Sequence, residues 1–270
     1  MQTMFVPLIT LFVVVALSAP VLADDKPKPT GKARPTLDDI GGDTADLPDS
    51  PFTVPRGSVM YEPSLNRQRD KDAARTRTLF SPTLVRVGLA DTWELRLSGD
   101  GFVNQQTIGN RVTGFGDSTV GFKKHLCASR NGGPALGIIV QTSLPTARRG
   151  LGSGRMEPFA SLNVGQELWG GWSTEVNFGG SLLNGAPNKK RFLQSSVLYV
   201  VERNLGKGWG FFVHGQYDAP AAPGSGPSNV IGPGVAYRLN PYAQLDASFV
   251  LGSTRNSPLS TFRLGLALLR

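Results

Sequence analysis

The sequence predicts an all-β chain, a transmembrane antiparallel up-and-down β-barrel of about twelve strands. Three observations carry this. Apolar residues recur with period two, not 3.6, over most of the 270 residues. The alternating segments are mostly about ten residues long, the length of a tilted strand crossing a bilayer. Their connections alternate between short turns and long Gly- and Pro-rich loops, the asymmetry of outer-membrane barrels. Composition agrees, because 33 Gly and 20 Pro suit many turns. With 40% hydrophobic residues and no repeated apolar runs of about 20, a polytopic helical membrane protein is excluded. A soluble sandwich or lipid-binding barrel is the competing class. Sandwich strands average about five or six residues and need no such asymmetry.

The elements follow in order. Residues Met4 to Ala23 carry no charged side chain, and Leu8 to Leu17 form an apolar core too short to span a membrane. Val21-Leu22-Ala23 is a small-x-small cleavage signal, so residues 1–23 read as a secretory signal peptide, with an uncleaved anchor as the other reading. Residues 24–56 hold six prolines, seven Asp and five Lys or Arg, with few large apolar residues. Such a segment buries too little surface to offset its ordering entropy, and it predicts a disordered periplasmic extension. Residues 57–270 are the barrel. Alternating spans lie near 57–67, 75–89, 93–103, 118–127, 134–144, 157–168, 172–182, 192–202, 208–218, 229–239, 242–252 and 260–270. Long loops are expected at 104–117, 145–156, 183–191, 219–228 and 253–259. Tyr61, Trp93, Trp169, Trp172, Tyr199, Trp209, Tyr237 and Tyr242 fit interfacial girdles.

Parity separates a lipid face from a lumen face. It places Glu62, Arg86, Glu94, Arg96, Asp100, Lys123, Glu167, Glu175, Arg238, Asp246 and Arg263 on the inner wall. Charges in a narrow barrel must pair, and Glu62, Arg86, Glu94 and Arg96 on the first three strands are expected to form one ion-paired cluster. It reads either as a constriction that sorts solutes or as a structural staple. The net charge is +8. Because residues 24–56 sum to −2, the barrel region carries +10. The signal sequence removes the chain from the cytoplasm, so nucleic acid is not the expected partner. Arg111, Arg148, Arg149, Arg155, Lys189, Lys190, Arg191 and Arg255 fall in or beside the long loops. They suit contact with outer-membrane lipids and lipopolysaccharide phosphates, attraction of anionic solutes, or simple solvation.

Chemistry of other kinds has little material. The single Cys127 excludes an internal disulfide framework, and His125 and His214 are too few for a zinc site. No metal and no cofactor is implied. A barrel lipid hydrolase would need Ser and His on the lipid-facing wall, yet parity turns both histidines inward. No spacing singles out Ser195 or Ser248 as a nucleophile. The chain is therefore read as a non-enzyme.

A family resemblance sharpens this. Tyr61-Glu62-Pro63-Ser64-Leu65, Arg77-Thr78-Leu79, Leu84-Val85-Arg86-Val87-Gly88-Leu89, Trp93-Glu94-Leu95-Arg96-Leu97 and Asp100-Gly101-Phe102 come in sequence. Gly114-Phe115-Gly116-Asp117, Ser143-Leu144-Pro145-Thr146 and Gln244-Leu245-Asp246 follow. This pattern resembles the outer-membrane transporter family labelled "putative MetA-pathway of phenol degradation", over most of 57–270. The resemblance implies a Gram-negative outer-membrane barrel that passes small solutes, including aromatic or apolar compounds. A barrel without transport, structural or lipid-contacting, is the alternative. Outer-membrane strands often end on an aromatic residue read by the barrel insertion machinery, the remaining expected partner. Here the last residues are Leu268-Leu269-Arg270, a departure from that pattern.

Overall fold

The computed structural model describes residues 34–43, 45–72, 75–129, 132–184, 191–221 and 225–270. The expected signal peptide, and residues 24–33 of the expected extension, lie outside the described residues. A short helix α1 (Leu37–Ile40) precedes the strands β1 (Val59–Arg69), β2 (Arg77–Phe80), β3 (Thr83–Ala90), β4 (Trp93–Gly99) and β5 (Phe102–Thr107). Then come β6 (Asn110–Phe115), β7 (Ser118–Cys127), β8 (Ala135–Leu144), β9 (Glu157–Glu167) and β10 (Trp172–Leu183). The last are β11 (Phe192–Gly206), β12 (Trp209–Asp218), β13 (Ser228–Asn240), β14 (Ala243–Gly252) and β15 (Ser260–Leu269).

Three of the barrel strands are broken once each. β2 and β3 part at Ser81-Pro82, β4 and β5 at Asp100-Gly101, β6 and β7 at Gly116-Asp117. Pro82 has no N–H to give the ladder. Gly101 adopts φ +63, and a Cβ there would stand 2.0 Å from the Ser81 carbonyl oxygen. Joined across these breaks, the barrel has twelve antiparallel strands, and β15 pairs with β1 to close it. Closure leaves the membrane-embedded wall without an edge.

The chain is inside-out relative to a soluble protein. Leu65, Leu97, Phe122, Val140, Leu162, Ile231, Val235, Phe249 and Leu264 are exposed, whereas Glu62, Arg86, Glu94, Lys123 and Asn163 are fully buried. Exposed apolar surface around a polar interior is the arrangement lipid demands. Trp93, Trp169, Trp172 and Trp209 all lie at the short-turn end. Trp93 carries Lys124 over its ring and Trp209 stacks on Tyr237 at 4.6 Å. Tyr199 does not join this girdle; it sits mid-strand in β11.

Two expectations fail. The loop expected at 104–117 is largely a β-hairpin, β5–β6, turning at Ile108-Gly109, with Gly109 at φ +78. Its polar sequence, Asn104 to Asn110, lacks alternation because the hairpin stands beyond the apolar band, where neither face is sorted by lipid. β6 pairs with β5 alone. The second failure concerns residues 34–56, expected to be part of a disordered extension. Asp43, Asp46, Pro48, Ser50, Pro51, Thr53 and Val54 are buried although none belongs to the wall. This segment runs into the lumen.

Candidate functional site

The segment enters at the short-turn mouth. The Arg34 guanidinium lies 4.1 Å from the Tyr242 ring centroid and donates to the Leu269 carbonyl. Leu37 N–H bonds the Pro241 carbonyl at 2.9 Å. Thr36 caps α1 reciprocally with Asp39. Leu37 and Ile40 then pack with Val54, Met60, Ala267 and Leu269, the small apolar core inside the mouth. Beyond α1 the chain has no regular structure of its own. Its backbone groups are satisfied by the wall, as buried backbone must be. Asp43 N–H bonds Glu62 Oε2 at 2.8 Å and Val54 N–H bonds Glu94 Oε2 at 2.8 Å. The Phe52 carbonyl accepts from Arg86 Nη2 at 2.9 Å, and the Asp49 carbonyl accepts from Asn163 and Asn177 at 3.0 and 2.8 Å.

At the centre the wall and the plug share one charge cluster. Arg86 Nε meets Glu94 Oε1 at 2.9 Å and Arg96 Nη1 meets it at 3.0 Å; Glu62 Oε1 lies 3.6 Å from Arg86 Nη1. These wall residues leave three cations, Arg86, Arg96 and Lys123, against two carboxylates. The plug supplies the remaining anions. Asp43 contacts Arg86 at 3.2 Å and Lys123 at 2.5 Å, and also bonds Arg96. Asp49 takes the second Arg96 nitrogen at 2.5 Å. The side chains of Asp43, Glu62, Arg86, Glu94 and Lys123 have 0% exposure, so the centre of the network is shut off from bulk water. In a low dielectric, truncating one partner strands the others. His125, beside the cluster, accepts the plug by stacking on Phe52 and by contact of Nδ1 with the Pro51 carbonyl at 3.0 Å.

The other parity-assigned residues scatter. Arg238 pairs with Asp38 at 2.9 Å at the mouth. Arg263 donates to the Asp46 carbonyl at 2.8 Å, but its Nε has no partner among the described residues. Asp246 is buried, and both its carboxylate oxygens lack a hydrogen-bond partner among the described residues. Glu167 is exposed at the rim, and Glu175 faces the lumen outside the cluster. Asp100 is exposed at the β4–β5 break and does not join the inner wall's cluster; the break interrupts the alternation on which its assignment rested. Among the basic loop residues, Arg111 bonds Asn104, Arg191 bonds Asn184 and the Met156 carbonyl, and Arg148 covers the free edge of β6 through Thr113 and Phe115. Arg149, Arg155 and Arg255 are exposed. Lys189 and Lys190 lie outside the described residues.

Past the plug's innermost turn, near Asp46 and Leu47, a cavity of about 340 Å³ opens along β12–β15. Leu47, Phe80, Val230 and Val250 give it apolar surface; His214, Ser248 and Arg263 give it polar groups. His214 and Ser248 share the cavity, but both ring nitrogens of His214 lack partners among the described residues, so no group orients the imidazole as a base.

Comparison with known proteins fits this geometry. A family model described as "Putative MetA-pathway of phenol degradation" matches residues 42–268. The chain belongs to this family. The match begins at residue 42, inside the inserted segment and one residue before Asp43. Among solved structures, an outer-membrane channel from Pseudomonas putida F1 is similar at TM-score 0.64 and 14% identity, covering 83% of this chain and 98% of that one. The NanC porin is similar at TM-score 0.55 and 7% identity, covering 78% and 98%. The translocator domain of the autotransporter NalP from Neisseria meningitidis is similar at 0.51 and 8%, covering 78% and 87%. At such identities the likeness is one of fold, that of outer-membrane barrels. A comparison with curated protein sequences finds no match.

The wall cations were legible from parity. What sequence reasoning missed was their partners, Asp43 and Asp49, and the carbonyls of Asp49, Pro51 and Phe52. One signal pointed there: the wall of the first strands has one cation too many, while an acidic surplus stands just upstream.

Proposed function

We propose that the chain is an outer-membrane channel for small solutes, in which residues 34–56 close the β3–β9 side of the lumen and leave a route along β12–β15. The carrying observation is the cavity of about 340 Å³ beside the plug, within the size range of small-molecule sites. Its mixed lining suits a compact molecule with an apolar body and one or two polar groups, which agrees with the aromatic or apolar solutes implied by the family. The charged cluster is the constriction on the closed side. The outer loops face lipopolysaccharide, and the barrel insertion machinery places the chain in the membrane.

The test is permeation through full-length protein in liposomes, comparing a panel of aromatic alcohols and carboxylates with sugars of similar size. Asp43→Asn combined with Asp49→Asn removes the plug's ionic grip while keeping its shape. Permeation and single-channel conductance are expected to rise by about tenfold, the equivalent of about 1.4 kcal/mol of plug seating. A folded barrel that passes none of the panel, with or without these substitutions, would mean a barrel without transport.

A further inference from the structure

The lipid-facing surface at the long-loop end carries a charge pattern that the lumen does not explain. Outward residues of β1 are apolar from Val59 through Tyr61, Pro63 and Leu65, then become Arg67 and Arg69. The register sets Arg69 directly opposite Arg77 on β2. Arg77 in turn faces Gln106 on β5, and Gln106 faces Arg111 on β6. Arg67, Arg69, Arg77 and Arg111 are all exposed. Like charges directly opposite in a ladder destabilise it. No carboxylate among the described residues pairs with Arg67, Arg69 or Arg77. The nearby acids are engaged elsewhere: Asp70 with Gln68 at 2.8 Å, Asp72 with Thr76 at 2.8 Å. Lys71 is turned to the Gly252 and Thr254 carbonyls.

Height makes the pattern meaningful. From Val59 at the short-turn rim to Arg69, ten residues at about 3.4 Å each and a tilt of about 40° rise roughly 25 Å, the height of a barrel's apolar band. The arginine row therefore stands where hydrocarbon gives way to the outer-leaflet headgroups. Leu79, Phe262, Phe102 and Phe115 lie at or just below it, exposed, with the two β5–β6 phenylalanines in edge contact at 6.1 Å. Planar guanidinium groups are suited to bidentate phosphate binding.

We propose that Arg67, Arg69 and Arg77, flanked by Arg111, form a binding site for the phosphates of outer-leaflet lipopolysaccharide, with its acyl chains against Leu79, Phe102, Phe115 and Phe262. The site rests on the outer-membrane location and not on transport. An anion bridging Arg69 and Arg77 converts a repulsive cross-strand pair into an attractive triad.

The test uses full-length protein in detergent, with purified lipid A as probe and native mass spectrometry or thermal shift as readout. Wild type is expected to bind lipid A, and Arg67→Gln with Arg69→Gln and Arg77→Gln to weaken it by about tenfold or more. The corresponding triple Lys variant should restore part of the affinity. Arg77→Gln alone, the milder change, should weaken binding measurably if the triple variant does not fold. Dephosphorylated lipid A should bind like the triple variant, and inorganic phosphate should not compete. Equal binding by wild type and both Gln variants overturns the site. So does equal binding of dephosphorylated lipid, and competition by free phosphate would make it a simple anion site. Solute permeation is expected to be unchanged, so failure here leaves the channel reading standing.

Discussion

The wall from β3 to β9 and the wall from β12 to β15 face the same plug and receive it differently. On the first, Arg86, Glu94, Arg96, Lys123, Asn163 and His125 each bond or stack on it, and glycines make room: a Cβ at Gly137 would come within 2.7 Å of the Pro51 carbonyl. On the second, contact is concentrated at the mouth, where Arg34, Leu37, Asp38 and Ile40 meet Leu269, Pro241, Arg238 and Ala267; deeper in it thins to Arg263 on the Asp46 carbonyl, and buried polar atoms of His214, Asp246 and Arg263 lack hydrogen-bond partners among the described residues. The difference teaches that the plug is fastened on one side and adjacent to free volume on the other. On the proposed channel reading, occlusion and passage fall to different strands of one barrel.

The largest expected effect comes from breaking the fastened side. Arg86→Ala removes the guanidinium that Asp43, Glu62 and Glu94 share at the centre of the network, and removing one partner of a buried ion network typically costs about 3–5 kcal/mol. Arg263→Ala on the other wall removes a single bond to a carbonyl, worth about 1 kcal/mol. Unfolding midpoints of the two variants in detergent check this ordering. If Arg263→Ala is the more damaging, the two walls have been assigned the wrong way round.

A smaller effect should follow from crowding the plug without touching a charge. Gly137→Val places a side chain where the Pro51 carbonyl lies, next to Gly165, whose own Cβ would meet the Pro51 ring at 2.8 Å. Overpacking of this kind costs about 1–3 kcal/mol, here drawn from plug seating and not from the ladder. Conductance should rise while the barrel's resistance to unfolding in cold detergent holds. Unchanged conductance would show that the plug is not what limits flow.

The barrel was legible because its signal is local. Trp93 to Leu97, Ala135 to Leu144 and Ala243 to Gly252 each alternate within one strand, and lipid and lumen sort every other residue. The plug was not, because what holds it in place is mostly non-local. Asp43 finds Lys123 eighty positions away and Asp49 finds Asn177 at 128. By composition alone the Pro- and Asp-rich segment belongs with disordered chains; only the folded wall, with Arg86, Arg96 and Lys123 brought together on neighbouring strands, gives Asp43 and Asp49 partners. The hairpin β5–β6 escaped notice for the opposite reason. Past Phe102 and Phe115 at its base it stands beyond the apolar band, so Asn104, Gln105 and Gln106 do not alternate and look like a loop.

The smallest expected effect tests the open wall. His214 is buried, touches Phe212 edge-on at 5.1 Å, and has neither ring nitrogen bonded among the described residues. A buried polar group without a partner contributes a desolvation cost and no bond, so replacing it with an apolar group of similar shape is close to neutral or mildly stabilising. His214→Leu should therefore leave the unfolding midpoint within about 1 kcal/mol of wild type. It should also make the cavity lining more apolar, since His214 stands beside Val230 and Val250 there. If solutes pass along β12–β15, the ratio of aromatic to sugar permeation should shift toward the aromatic by up to about fivefold, the equivalent of about 1 kcal/mol. The same substitution would not move that ratio if solutes crossed through the Arg86–Glu94 cluster, which His214 does not touch. A strongly destabilised His214→Leu barrel would show instead that the imidazole is held by a bond the open wall does need, and the contrast between the two walls would be lost.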